Sequence, residues 1–132
     1  NWCPAKVFLG DVGSVPLGFL VGWLLLSLAT YGAWAAALIL PLYFLTDASL
    51  TLVHRAIRGE QVWQAHHEHF YQRAEDRGLR HDRIVGLIFI ANLLLVVLAI
   101  VAASGQTVPA IIGAVCTVVL LLVFLAKDDP EV

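Results

Sequence analysis

Residues 12–46 and 84–126 of this 132-residue chain contain no Asp, Glu, Lys or Arg. Soluble domains carry about 25% charged residues spread over their surface, so charge-free runs of 35 and 43 residues exclude an ordinary water-soluble fold. Cysteine is scarce: Cys3 precedes the first run and Cys116 lies inside the second, which gives no basis for a disulfide framework. There is no excess of positive charge. The net charge is -2, and the basic residues are interleaved with Glu60, Glu68, Glu75, Asp76 and Asp82, so no basic stripe exists for nucleic acid. Methionine is absent throughout, and the first residues lack the basic segment and cleavage site of a signal peptide, so the chain is expected to be part of a longer protein.

What remains is 60% hydrophobic. A helix needs roughly 20 apolar residues to cross a hydrocarbon core about 30 Å thick, so each charge-free run is long enough to cross twice. The expected fold is an all-α, polytopic membrane bundle of about four spans. These fall at about 12–31, 33–52, 84–103 and 108–126, with a cytoplasmic loop at about 54–83. A single long first span would instead put Asp11 and the histidine-rich loop on opposite faces of the bilayer. Charge decides between the two: with four spans all eight basic residues, Lys6, Arg55, Arg58, Arg73, Arg77, Arg80, Arg83 and Lys127, share one side, which the positive-inside rule makes cytoplasmic.

Local signals divide the spans. Gly10, Gly13 and Ser14 punctuate the entry to the first, with Ser14 the expected helix N-cap and Pro16 in the first turn. Gly32 marks the outer turn, flanked by Tyr31 and Trp34 as interfacial aromatics, and Pro41 predicts a kink in the second span. Beyond Asp47 the helix is expected to continue as an amphipathic, interfacial extension through Leu50, Leu52, Val53 and Ile57, up to Gly59. Residues 64–77 contain good helix formers without Gly or Pro, and are expected to be partly helical.

Three places could carry chemistry. The first is Phe8-Leu9-Gly10-Asp11-Val12-Gly13-Ser14, an acid framed by glycines just before a membrane helix. Small neighbours admit a ligand to the backbone, the helix N-terminus suits a phosphate, and Asp11 could ligate a Mg²⁺, which often uses one or two carboxylates plus phosphate oxygens. The same residues also make a plain turn and cap. The second is histidine: His54, His66, His67, His69 and His81 all lie in the cytoplasmic segment. On a helix the spacing of His66, His69 and Arg73 puts them on one face, where Arg adds a planar fork of donors for phosphate. Solvated interfacial histidines are the simpler alternative. A zinc site is disfavoured, since Glu68 points away from His66 and His69 and a fourth ligand is wanting. The third is Asp47, an acid at the edge of a span, which is costly unless paired, hydrated or functional. The Asp128-Asp129 pair reads as a solvated terminus.

The run NWCPAKVFLGDVGS at residues 1–14 resembles a signature of the polyprenyl-phosphate N-acetylhexosamine-1-phosphate transferases, glycosyltransferase family 4, the superfamily that includes phospho-N-acetylmuramoyl-pentapeptide transferase. A second stretch is similar to the later cytoplasmic motif of the branch that starts O-antigen-like glycans. It runs from Asp47 through Arg58-Gly59-Glu60 to Gln64-Ala65-His66-His67-Glu68-His69-Phe70-Tyr71-Gln72-Arg73. The resemblance implies that Asp11 ligates Mg²⁺, with Mn²⁺ an alternative, that Phe8 stacks on uracil, that Asn1 and Gly10 lie at the nucleotide, and that His66, His69 and Arg73 engage phosphates. The best-studied branches have three consecutive histidines, or His-x-His-His, where this chain has His66-His67-Glu68-His69. His66 and His69 are favoured over His67, which stays a candidate with Asp47. The implied reaction moves N-acetylhexosamine-1-phosphate from a UDP-sugar to polyprenyl (undecaprenyl) phosphate and releases UMP, on the cytoplasmic face of a bacterial plasma membrane. A homodimer is left open. The family's Asp-Asp motif belongs to an earlier loop, so the chain is expected to be the C-terminal part of one transferase domain, inactive alone. A small four-span scaffold or transporter-like subunit with a histidine-rich surface is the alternative from another class.

Overall fold

A computed structural model of the chain describes residues 10–59, 71, 75 and 78–127, apart from the side chains of Asp11 and Lys127. Among the described residues all regular structure is helical: α1 (Gly10–Thr30), α2 (Trp34–Ile39), α3 (Leu42–Ile57), α4 (His81–Ala103) and α5 (Thr107–Lys127). Three stretches, Val12–Thr30 within α1, His81–Ala103 and Thr107–Ala126, are each long and apolar enough to cross a bilayer. The chain is a multi-pass helical membrane protein.

The expected kink at Pro41 is a full break. Pro41 has no N–H to offer the carbonyl of Ala37, so the helical ladder stops there. The amide of Leu40 still bonds Ala36 at 3.0 Å, and that of Leu45 resumes the pattern onto Pro41, also at 3.0 Å. Neither α2 nor α3 is of bilayer length alone; together they occupy the stretch in which the second span was expected.

The start of α1 differs from the sequence expectation. The helix begins at Gly10, so Ser14 lies inside it instead of capping it, and Pro16 falls in its second turn. Gly10 can open the helix there because its φ of 63° is a left-handed value that a side chain rarely tolerates. Pro16 removes the amide that would have bonded the carbonyl of Val12, which loosens the entry turn without ending the helix.

The two hairpin turns share one design. Gly32 adopts φ 91° and Gly105 φ 103°. Gly32 donates to Ala29 at 3.0 Å and Ala33 to Leu28 at 3.3 Å, while Gly105 donates to Ala102 at 3.1 Å and Gln106 to Val101 at 3.3 Å. These are Schellman closures, in which the left-handed glycine lets the last amides fold back onto orphan carbonyls of the helix. The two turns lie side by side, since Tyr31, Gly32, Ala33, Trp34, Ala102 and Gly105 line one shallow cavity at that end of the bundle.

The core runs between α4 and α5, with α2 laid against both. Leu95, Ala99, Ala102, Ala110, Ala114, Val118 and Leu125 are buried in it. Small residues matter here because lipid is as apolar as leucine, so helices are held by close backbone approach and dispersion. Of the described α1 side chains, Leu28 packs on this core. Val12, Phe19, Leu20 and Leu26 lie exposed, a surface that bilayer hydrocarbon would solvate. Polar side chains inside the helices mostly return to their own backbone four residues back: Ser27 to Trp23, Thr46 to Leu42, Asn92 to Ile88 and Thr117 to Gly113, at 2.7–2.9 Å. In the bilayer such back-bonding removes an otherwise unsatisfied donor.

Candidate functional site

At the end of the bundle opposite the two glycine turns, α3 meets the start of α4. A cavity of about 480 Å³ lies between them, walled by Phe44, Ala48, Ile84, Val85 and Ile88, with Tyr43, Asp47, Tyr71 and His81 as its polar members. Asp47 thus comes to the end of the bundle at which the chain leaves α3 and returns into α4.

The extension beyond Asp47 is amphipathic in the opposite sense from a helix lying on a soluble core. Leu52, Val53 and Ile57 are exposed, Ile57 at 81%, whereas Asp47, Thr51 and Arg55 are exposed by only 4%, 2% and 5%. With Tyr43, at 1% exposure, they form an i, i+4 stripe along one face of α3. In a bilayer this is the favoured arrangement, because a charged or hydroxylated side chain is costly against hydrocarbon and turns inward to the bundle. Sequence reading singled out Asp47 and missed Tyr43, Thr51 and Arg55. The four-residue spacing was visible, but the apolar residues between them drew the eye to the outer face. Tyr43 Oη and Thr51 Oγ1 are buried with no hydrogen-bond partner among the described residues.

The returning limb is fixed by named contacts. Tyr71 and Leu79 pack against the core, and Glu75 Oε1 lies 3.3 Å from His81 Nδ1. Gly78, at φ 97°, donates its amide to the Glu75 carbonyl at 2.9 Å, and the Arg80 carbonyl accepts from Arg83 and Ile84 as α4 begins. Burial raises the Tyr71 phenol above its ordinary value, and the Asp47 and Glu75 charges push it the same way. At the mouth of α4 the Arg80 guanidinium grips Asp82 with two bonds of 2.9 and 3.0 Å.

Asp11 takes its backbone position in the first turn of α1, directly after Gly10. Among the described residues nothing lies within 4 Å of a Cβ built on Gly10. The side chain of Asp11, and the whole of Asn1, Phe8, His66, His67, His69 and Arg73, lie outside the described residues. Among the described residues no group of three or more His, Cys, Asp or Glu side chains converges on a point.

Residues 1–29 match the family described as glycosyl transferase family 4. The chain is 26% identical over 109 residues to a Bacillus subtilis protein named "Probable undecaprenyl-phosphate N-acetylglucosaminyl 1-phosphate transferase", an alignment covering 80% of this chain and 30% of that protein. It is 34% identical over 108 residues to the phospho-N-acetylmuramoyl-pentapeptide-transferase of Microcystis aeruginosa, covering 76% of this chain and 29% of the relative. No solved structure matches. The chain spans less than a third of the length of either relative. A multi-pass membrane helical protein with a polar site at one end of its bundle is the class that fold and site define. Within that class, the chain carries the pattern of glycosyl transferase family 4 and is related to the two transferases just named.

Proposed function

We propose that the full-length protein transfers N-acetylhexosamine-1-phosphate from a UDP-sugar to polyprenyl phosphate, undecaprenyl phosphate in a bacterial plasma membrane, and so starts a lipid-linked glycan. The observation that carries this reading is the coincidence at one place of three things. The family match covers residues 1–29, a glycine-framed acid sits at residue 11, and a bilayer-length helix starts at that acid.

In this reading an oxygen of the lipid phosphate attacks the β-phosphorus of the UDP-sugar. The bond from that phosphorus to the oxygen bridging it to the α-phosphorus breaks, and UMP leaves with the bonding pair. Two anions must meet, so the demand on the protein is electrostatic. Asp11 would hold Mg²⁺, which when bound would supply positive charge against the charge gathering on UMP. Arg73 offers a planar fork of donors to a phosphate. His66 and His69 bind phosphate oxygens instead of acting as bases, because a phosphomonoester with a second pKa of about 6 is already largely ionised at neutral pH. Phe8 stacks on the uracil, while Asn1 and Gly10 border the nucleotide. The nucleotide-sugar enters from the cytoplasm as the lipid tail stays among the helices. A homodimer is compatible with this scheme.

The test uses full-length protein purified in detergent. UMP release from UDP-N-acetylglucosamine or UDP-N-acetylgalactosamine should require undecaprenyl phosphate, stop on chelation by EDTA and return on adding Mg²⁺. A lipid-independent release of UMP, or full activity in EDTA, would overturn the proposal.

A further inference from the structure

Pro41 divides the second membrane stretch into two helices that follow different neighbours. α2 lies against α4, whereas α3 leaves α4 and packs on α5. Their parting opens the cavity of about 480 Å³ between α3 and the start of α4. α4 is of bilayer length, and the part of it that lines the cavity runs from His81, its first residue, to Ile88, about 10 Å of helix rise. The cavity therefore lies near one surface of the bilayer, where the headgroup region gives way to hydrocarbon. Two of its apolar wall residues, Phe44 and Val85, are 59% and 37% exposed, so it opens to the surroundings of the bundle. Apolar walls hold water poorly, and a wedge walled by Phe44, Ala48, Ile84, Val85 and Ile88 takes up hydrocarbon instead. A second observation narrows the occupant. Tyr43 lines the same cavity, is 1% exposed, and its hydroxyl has no hydrogen-bond partner. A buried donor is costly to leave unsatisfied, so the occupant joins an aliphatic chain to a hydrogen-bond acceptor. Among the described residues no Lys or Arg lines the cavity, which favours an uncharged oxygen over a phosphate.

We infer that the cavity between α3 and α4 is a binding site for a bilayer glycerophospholipid: one acyl chain fills the wedge, and its ester carbonyl accepts the Tyr43 hydroxyl. The ester linkage is the uncharged acceptor that such a lipid carries at the boundary between headgroup and hydrocarbon, the depth at which the cavity lies. Tyrosine is suited to that boundary, with a ring for the apolar side and a hydroxyl for the polar one. The bound chain takes the place of the helix contact that α3 gives up after Pro41, and so supports α3 on the side facing α4. Polyprenyl phosphate, the acceptor in the reaction proposed above, is a different occupant. All its oxygens belong to the phosphate and its chain is hydrocarbon from the first carbon, so it has no uncharged acceptor for Tyr43. The lipid site is independent of that reaction.

The test uses the full-length protein in nanodiscs of phosphatidylethanolamine and phosphatidylglycerol, doped with a phosphatidylethanolamine that carries a diazirine on one acyl chain. After irradiation the labelled residues are mapped by mass spectrometry. Ile90, Ile100 and Leu120, exposed on the flanks of α4 and α5, give the background of ordinary lipid contact. Label should concentrate above that background on residues 43–48 and 84–88. Tyr43→Phe should lower the enrichment by about two- to tenfold, the effect of losing one hydrogen bond, and Ala48→Trp, which fills the wedge, should return it to background. Excess undecaprenyl phosphate should leave the labelling unchanged. Background labelling of the parent protein overturns the site, and is the result expected if other helices of the full-length protein fill the wedge. Displacement of the label by undecaprenyl phosphate gives the cavity to the acceptor lipid and overturns it too. Unchanged enrichment in Tyr43→Phe removes the ester contact, and with it the choice of lipid. Enrichment as described in a protein that releases no UMP overturns the reaction and leaves the lipid site standing.

Discussion

Asp11→Asn in the full-length enzyme is expected to lower UMP release by about 10²–10³-fold, the scale on which losing one preorganised electrostatic contact slows a reaction. The substitution isolates charge. Asn has nearly the size of Asp and serves equally well at the start of a helix, so if residue 11 were only a turn and cap residue before a membrane helix, nothing measurable would change. A metal ligand behaves otherwise: a neutral carboxamide holds Mg²⁺ poorly, and the defect should be partly relieved by raising the Mg²⁺ concentration. Initial rates of UMP formation over a Mg²⁺ titration, with thermal stability measured in parallel, separate the two. Near-normal release from a stable Asp11→Asn protein would remove the metal role.

The second large effect is expected in the histidine-rich segment between α3 and α4. His66→Ala, His69→Ala and Arg73→Ala should each lower transfer by at least about tenfold, equivalent to about 1.4 kcal/mol of transition-state stabilisation apiece. Arg73→Lys should not restore the rate, because an ammonium lacks the planar fork that bonds two phosphate oxygens together. His67→Ala should stay within about twofold of the parent, since the next residue on a helix points about 100° away from the shared face. Steady-state kinetics on the purified variants check all four. If His67→Ala is the most damaging, the face has been chosen wrongly, and the chain is closer to the branches with consecutive histidines.

Much of the architecture is readable in the sequence. Charge-free runs marked where the helices lie, because the bilayer penalises ionised groups so heavily that their absence is itself a signal. Gly32 was readable as a turn because a helix closing on itself needs a left-handed residue, and Pro41 as an interruption because a missing amide cannot be replaced within the ladder. The start of α1 was misplaced for an equally physical reason. Gly10 and Ser14 are both good residues for a helix start, and sequence alone could not say that the left-handed glycine would win and carry Ser14 and Pro16 inside.

The α3 stripe was missed because amphipathicity has no fixed direction in a membrane protein. Leu50, Leu52, Val53 and Ile57 read as a face seeking burial, yet where hydrocarbon is the solvent that face can stay outside, and Tyr43, Asp47, Thr51 and Arg55 turn in. Tyr71 and His81 were named in sequence, one in the family-like stretch and one in the histidine cluster, but not as neighbours of Asp47. Only the fold brings α3, Tyr71 and the start of α4 to the walls of one cavity. The proposed phosphate ligands rest on their spacing and their resemblance to a family, and Asn1, Phe8, His66, His67, His69 and Arg73 lie outside the described residues.

Everything proposed for the reaction requires that residue 11 and residue 66 work in the same water. Single cysteines at Asp11, Gly32, His66 and Gly105 in an otherwise cysteine-free full-length protein, probed with a membrane-impermeant maleimide, measure this directly. Positions 11 and 66 should react only in inverted vesicles, and positions 32 and 105 only in right-side-out ones. Labelling of 11 and 66 from opposite sides would contradict the account.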